Sequence, residues 1–425
     1  MICQKSIYSR LEMKTGIVSN TRLAIGLFIL PVVLFLLSGC QERQKVCDTC
    51  LHEIYAPLLE DAPTEYPIMS SMFERVDTVF LENAGYESII PSVDEVVSFS
   101  DTIIVRSANT LFFFNDKGKF LYRFDRLGKG TGNYRTIDRF DVLEQRGELY
   151  IMDGHTNNIF VYGLDGSYKR SVQIDDYVCD FAVLPDGDFL FANPIKYTGR
   201  NHRRGLWKTG ADGRFIKQLV EFDPEFAHVS LNTPYINHIC PGVIGFMGIE
   251  DNDKFYHYAD DSISATCRMT TDIVIPDELK RSDKVFVNPQ KEYTKCGYLE
   301  TPRFLYFVNT NYGANLMIVF TDKKDWTTYR MYVYTGEFNH DKETREPFPF
   351  LVGSYNGTLV GFYDSGMILD NERFKSLFPT ITKDSNPVLL FFRENSTKGD
   401  RPLLYHFKNR SQNPGFLSLR PAREL

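Results

Sequence analysis

The sequence predicts an all-β chain folded as a six-bladed β-propeller of four-stranded antiparallel blades, with a seven-bladed ring as the alternative. Three observations carry that reading. The 425 residues include 34 Phe, 24 Tyr, 29 Gly and 20 Pro, a bias toward strands and turns over a helical bundle. Four tight-turn signals recur at Asn115-Asp116-Lys117-Gly118, Leu164-Asp165-Gly166, Ala211-Asp212-Gly213 and Ala259-Asp260-Asp261, their last residues 48, 47 and 48 apart. Each has an aromatic six positions before it (Phe112, Phe160, Trp207, Phe255) and an apolar residue two after it (Phe120, Tyr168, Phe215, Ile263). A hairpin repeated with a period in the forties, with several short strands per repeat, is the pattern of propeller blades.

The N-terminus is read first. Residues 1–39 carry Lys5, Arg10, Lys14 and Arg22 against Glu12, then the uncharged run Leu23 to Leu37, then Ser38-Gly39-Cys40. A positive region, an apolar region and small residues before a cleavage point make a signal peptide. The run is too short to span a bilayer comfortably. Met13 is an alternative start, leaving a short basic region that ends at Arg22. Leu37-Ser38-Gly39-Cys40 resembles the lipobox of bacterial lipoproteins, which implies acylation of Cys40 as the mature N-terminus. Residues 40–71 then read as a tether. Without residues 1–39 the chain holds 44 basic against 54 acidic side chains, a net charge of −10. That balance argues against a nucleic-acid partner and leaves the membrane, reached through the lipid anchor, as the expected surface.

Beyond Cys3 and Cys40 there are six cysteines: Cys47, Cys50, Cys179, Cys240, Cys267 and Cys296. An oxidising compartment permits disulfides among them, but their connectivity is not legible. Cys47-Asp48-Thr49-Cys50 has the spacing of a redox or zinc half-site. It sits in the tether with no second CxxC, so it reads as a local disulfide or inert thiols.

The blades follow, over residues 72–393. The clearest runs Arg139 to Leu143, Glu148 to Met152, Asn158 to Tyr162 and Tyr168 to Val172. The next runs Phe181 to Leu184, Asp188 to Ala192, Leu206-Trp207 and Arg214 to Val220. Units near 92–124 and 235–269 fit with weaker first strands. Phe304 to Val308, Leu316 to Phe320 and Tyr329 to Tyr334 form a fifth unit. Phe350 to Ser354, Thr358 to Tyr363 and Pro387 to Phe392 form a sixth that lacks its outer strand. Val76 to Leu81 can supply that strand and close the ring, removing the exposed edges. Residues 394–425 form a C-terminal extension outside the pattern.

Glu148-Leu-Tyr-Ile-Met-Asp153-Gly-His-Thr-Asn157-Asn158-Ile-Phe-Val-Tyr-Gly-Leu-Asp165-Gly166 resembles an NHL-type propeller repeat. Together with Phe120 to Phe124, Gly128 to Tyr134, Gly297 to Thr301 and Asn386 to Leu390, it is similar to the Bacteroides-type six-bladed β-propeller lipoproteins. The resemblance implies fold and a cell-envelope address, expected at the outer membrane, and carries over no catalytic residues. It departs at Gly130-Thr131-Gly132, where that family commonly has Gly-Pro-Gly.

Chemical motifs are sparse. Gly128 to Gly132 lacks phosphate-loop spacing and reads as an inter-blade loop. Glu250-Asp251-Asn252-Asp253 lacks the alternating ligands of a calcium loop and reads as a solvated turn; calcium has no motif behind it, and no metal or other cofactor is expected. Neither HExxH nor GxSxG occurs, so no catalytic residue is assigned. The third unit carries an insertion of about a dozen residues between its second and third strands, holding Lys196, Tyr197, Arg200, His202, Arg203 and Arg204. In an acidic protein Arg200, His202, Arg203 and Arg204 could clamp an anionic group on the propeller's ligand-binding face. The recurring aromatics are expected in the core between blades. Two functions remain: a non-catalytic binding or scaffolding module for a small molecule, glycan or envelope protein, in nutrient or glycan acquisition; or an envelope lyase or hydrolase acting on a glycan or lactone at the propeller axis. Titratable groups converging on the axis are the feature that discriminates them.

Overall fold

The computed structural model describes residues 51–56, 72–193, 202–222, 234–248, 253–270, 293–311, 316–333, 348–355, 357–394, 403–404 and 420–421. Six four-stranded antiparallel blades form the ring, so the six-bladed reading holds over the seven-bladed one. Strands within a blade are called A to D from the axis outward.

Blade 1 runs Glu95–Phe99, Thr102–Ser107, Thr110–Asn115 and Phe120–Phe124; blade 2 runs Arg139–Leu143, Glu148–Asp153, Asn158–Gly163 and Tyr168–Gln173. Blade 3 is Asp180–Val183, Phe189–Asn193, Gly205–Thr209 and Phe215–Val220; blade 4 is Ile236–Cys240, Val243–Met247, Lys254–Ala259 and Ser262–Thr270. Blade 5 is Tyr293–Glu300, Phe304–Asn311, Leu316–Asp322 and Thr327–Val333.

Blade 6 takes its A, B and C strands from Phe350–Tyr355, Thr358–Tyr363 and Val388–Glu394. Its D strand is the N-terminal Phe73–Phe80, antiparallel to the C strand with Val76 opposite Phe392 and Phe80 opposite Val388. The ring therefore closes by joining the two ends of the chain, as the sequence predicted. Between its B and C strands lie two short helices, α1 (Ser365–Asp370) and α2 (Glu372–Leu377). Asp364 and Asn371 cap them, each side chain accepting backbone N–H groups that a helix start leaves unpaired.

A fifth strand joins blade 4. β1 (His52–Tyr55), within the stretch read as tether, pairs in parallel with Cys267 to Thr270 of the D strand. Its His52 ring stacks on Trp326 of blade 5 at 4.0 Å between centroids.

The C–D turn of one blade abuts the outer strand of the blade before it, which explains why small residues recur there. At Gly118, φ is +80° and a Cβ would lie 2.1 Å from the Phe80 carbonyl oxygen. Only glycine fits such an approach with a left-handed backbone. The recurring aromatics are buried between blades: Phe112 against blade 6, Phe160 against blade 1 and Trp207 against blade 2. Burying one such side chain contributes about 1.5–3 kcal/mol.

Phe255 is also buried, but it faces forward, packing on Tyr298 and Phe307 of blade 5. The reason is register. In blade 4 a two-residue turn with Asp260 and Asp261 both at positive φ joins Ala259 to Ser262, whereas blade 1 uses a longer loop in which the Asn115 N–H bonds the Lys119 carbonyl. A shift of one residue sends a strand's side chains to the opposite face. The fourth match of the repeat therefore marks the right hairpin with the opposite facing.

Candidate functional site

The A strands enclose a cavity of about 60 Å³ on the axis, to which all six blades contribute. Its polar lining comes from Glu95 of blade 1, Arg139 and Asp141 of blade 2, Asp180 of blade 3, Asn237 and His238 of blade 4, and Ser354 of blade 6. Glu95, Arg139 and Asp180 each open their strand. The cavity therefore lies toward the face carrying the D–A and B–C loops.

These side chains bolt the inner strands together. Asp141 accepts the Val183 N–H of blade 3 at 2.8 Å and the N–H of its own neighbour Val142 at 2.7 Å. His238 Nε2 of blade 4 lies 2.9 Å from the same Asp141 carboxylate. Asp180 accepts the Tyr235 and Ile236 N–H groups of blade 4 at 2.6 and 2.8 Å, and that of Phe181 at 2.9 Å. Asn237 Oδ1 accepts the Glu300 N–H of blade 5 at 2.8 Å and the Ser354 hydroxyl of blade 6 at 2.7 Å. Blade 6 meets blade 1 where Gly353 passes so close to Val96 that a Cβ would lie 2.2 Å from its carbonyl oxygen.

An acceptor on one inner strand thus takes donors from the next. The arrangement satisfies backbone groups that a strand facing the axis cannot pair within its own sheet, where leaving them unpaired would be costly.

Charge is balanced in pairs. Arg106 Nε donates to Glu95 at 3.0 Å, and Arg139 Nε lies 3.4 Å from Asp180. Burial raises the Glu95 carboxyl above its ordinary value, against the pull of Arg106 and Arg139. Burial likewise raises Asp180, opposed by Arg139 and by the three backbone N–H groups. For His238 burial pulls downward, but the adjacent Asp141 carboxylate, helped by Asp180, outweighs it and holds the imidazole above its ordinary value.

Arg139 is the exception in bonding. It is only 3% exposed. Its Nη1 donates to the Asp138 carbonyl at 2.8 Å, while Nε and Nη2 have no hydrogen-bond partner.

A second ionic cluster joins blades 4 and 5. Glu300 is held by His257 at 2.8 Å, by Lys323 at 2.6 Å and by the Tyr298 hydroxyl. Burial would raise its carboxyl, but His257 and Lys323 outweigh that and lower it.

Of the residues singled out from sequence, Cys40, Cys47, Cys50, Lys196, Tyr197, Arg200 and Glu250 to Asn252 lie outside the described residues. His202, Arg203 and Arg204 end the blade 3 B–C loop, on the same face as the cavity. Arg203 pairs with Asp176 of the preceding D–A loop at 3.2 Å and lies 3.7 Å from the centre of the Phe215 ring. His202 Nδ1 accepts the Tyr177 N–H at 3.4 Å. Arg203 and His202 thus fasten the loop to its own blade, and none of His202, Arg203 and Arg204 lines the axial cavity. The Cys179 thiol donates to the Asn193 side-chain carbonyl at 3.6 Å. Among the described residues, no three His, Cys, Asp or Glu side chains are grouped to hold a metal.

Sequence reasoning missed the axial residues. A signal was available: Arg139-Phe140-Asp141 and Asp180-Phe181 put charges into otherwise apolar inner strands, where a charge needs a reason.

Fold and axis define a six-bladed β-propeller with a polar axial site. The chain belongs to the family described as a domain of unknown function, DUF4934, whose model matches residues 63–393. A Bacteroides fragilis NCTC 9343 protein designated a candidate exported protein shares the fold, with a TM-score of 0.64 at 16% identity over 81% of this chain and 100% of that one. A DUF4221 member from Bacteroides vulgatus ATCC 8482 is similar with a TM-score of 0.46 at 9% identity, over 76% of this chain and 98% of that one. No curated protein matches the chain by sequence.

Proposed function

We propose that the protein is a lipid-anchored propeller of the cell envelope, acylated at Cys40 and held at the outer membrane, that binds a ligand without turning it over. Its place is in nutrient or glycan acquisition or in an assembly of envelope proteins, and its repeats are of NHL type. The observation that carries the binding reading is the use made of the axial carboxylates. Asp141 and Asp180 are occupied by backbone N–H groups of neighbouring blades, so they hold the ring together around a small cavity lined by polar groups of five blades. That is a receptor's arrangement, rigid and pre-formed. The basic cluster Arg200, His202, Arg203 and Arg204, read from the sequence, is proposed to add positive charge for anionic groups.

The lipobox Leu37 to Cys40 supports the envelope address. So does the similar Bacteroides fragilis protein designated a candidate exported protein.

A second reading, an envelope lyase or hydrolase acting on a glycan or lactone, is favoured by one observation. The His238–Asp141 pair and a Glu95 carboxyl raised by burial share one cavity, and such pairs can supply acid–base chemistry.

A thermal-shift screen of the full chain against oligosaccharides, lactones, anions and divalent metals, with product analysis on every hit, separates the two. Stabilisation without product supports the receptor. Turnover lost in His238→Gln overturns it in favour of the enzyme. Palmitate labelling that persists in Cys40→Ala would overturn the anchor.

A further inference from the structure

We propose that the axial cavity receives a primary ammonium head group, held by the Oε1 oxygen of Glu95. The inference deepens the binding reading above and rests on it.

The hydrogen bonds of the lining carboxylates decide the polarity of the ligand. Asp141 Oδ1 accepts the Val142 N–H, and its Oδ2 accepts the Val183 N–H and faces His238 Nε2. Asp180 Oδ1 accepts the Phe181 N–H, and its Oδ2 accepts those of Tyr235 and Ile236. Both side chains are closed off, 6% and 4% exposed. Glu95 differs. Its side chain is 23% exposed, Oε2 accepts from Arg106 Nε, and Oε1 accepts from no donor among the described residues. Glu95 opens its strand and lines the cavity, so Oε1 stands at the mouth as an unused acceptor. Arg139 Nε and Nη2 are sealed within the wall and offer the ligand nothing.

Charge favours a cationic donor over a neutral one. Glu95, Asp141 and Asp180 are set against two guanidiniums, those of Arg106 and Arg139, and Arg106 is shared with Asp94 at 3.7 Å. With the His238 imidazole neutral, one negative charge is left over, and burial penalises it, raising the Glu95 carboxyl. An ammonium offsets that charge through a charge-assisted hydrogen bond, roughly twice as strong as one between neutral partners. A proton on His238, which faces Asp141 and is also drawn by Asp180, offsets the same charge, so ligand and proton compete.

Volume sets the size. About 60 Å³ corresponds to room for roughly four waters on the scale at which one water needs about 15 Å³. An ammonium on a single methylene fits there, and the apolar wall of Phe140, Ile236, Leu299 and Val352 suits the methylene. A quaternary ammonium is bulkier and has no N–H to give Oε1. The same head group can come from a free small amine or from an amino sugar whose ring stays at the mouth.

The test titrates ¹³C-labelled methylammonium and glucosamine into the full-length protein, followed by NMR line broadening and calorimetry. N-acetylglucosamine serves as the neutral partner of glucosamine, and tetramethylammonium as the cation without an N–H. Both primary amines are expected to bind and the two comparison compounds not to. Tighter binding of glucosamine than of methylammonium assigns the natural source to an amino sugar, and equal or weaker binding assigns it to a free amine.

Glu95→Gln keeps the shape and an acceptor for Arg106 but loses the charge, and is expected to weaken methylammonium at least about tenfold. Because Glu95 also partners Arg106, the native protein supplies a second readout that needs no variant. Its affinity for methylammonium is expected to rise between about pH 5 and pH 8, as Glu95 ionises and His238 gives up its proton. The proposal is overturned by primary amines that fail to bind at about 100 mM, by tetramethylammonium that binds as well as methylammonium, by a flat or falling pH profile, or by binding that Glu95→Gln leaves intact. A neutral glycan that binds independently of Glu95 would overturn the ammonium assignment while leaving the receptor reading standing.

Discussion

Replacing Asp180 by Ala tests whether the axis is a mechanical clamp. Asp180 is 3% exposed and accepts the Tyr235 and Ile236 N–H groups across the blade 3 to blade 4 boundary. Without its carboxylate those two buried donors and the Phe181 N–H lose their acceptor, at about 1–3 kcal/mol each. The Arg139 charge is also left uncompensated, and breaking a buried pair costs about 3–5 kcal/mol. The losses overlap, because water admitted into the space serves both, so a total of about 5 kcal/mol is expected. For a domain of this size that is a fall in Tm of roughly 7 °C. Urea denaturation followed by circular dichroism, together with calorimetry, reads both quantities. Adding Arg139→Leu to Asp180→Ala should recover about 2 kcal/mol, since the stranded charge goes with it. A single-variant loss below about 1 kcal/mol, or a double variant whose losses simply add, would refute the clamp.

Three further outcomes follow from the same geometry. A chain lacking residues 1–81 should aggregate through the open edge of blade 6, whereas one lacking 1–50 should not, and a peptide spanning 72–82 added in trans should restore cooperative unfolding. Gly118→Ala should cost about 2 kcal/mol, because it forces a Cβ onto the Phe80 carbonyl at positive φ; an unchanged urea midpoint would show that the turn does not abut blade 6. Protonated His238 is favoured in the fold by Asp141, so its contribution is fully present below its unfolded pKa near 6.5 and is lost as pH rises through the higher folded value. Wild-type stability should therefore decline above about pH 6.5 relative to His238→Gln; parallel curves for the two proteins would contradict that.

The blades were legible because their signals are local. An Asp-Gly or Asn-Asp-Lys-Gly turn between alternating apolar residues carries its own backbone conformation, so spacing alone revealed the hairpins from Phe112 to Phe255 and the spare strand Val76 to Leu81. The facing of Phe255 was not legible. It depends on whether the turn holds two residues or more, and that difference flips every side chain on the strand. Nor could β1 be anticipated, since a four-residue strand in parallel pairing depends on an edge supplied more than 200 residues later.

By itself the sequence determined the repeated blade hairpins, the N-terminal strand that closes the ring, and the absence of the short catalytic motifs, all of which reside in contiguous residues. Tertiary structure alone decided the site. Glu95, Arg139, Asp141, Asp180, His238 and Ser354 stand on five different blades. They become neighbours only when closure brings the inner strands around one axis, and only there can a missing hydrogen bond at Arg139 be recognised. Likewise the basic residues of the blade 3 loop were conspicuous in sequence because they cluster. The fold gives Arg203 to Asp176 and Phe215, since a charge is held by whatever partner packing brings within reach.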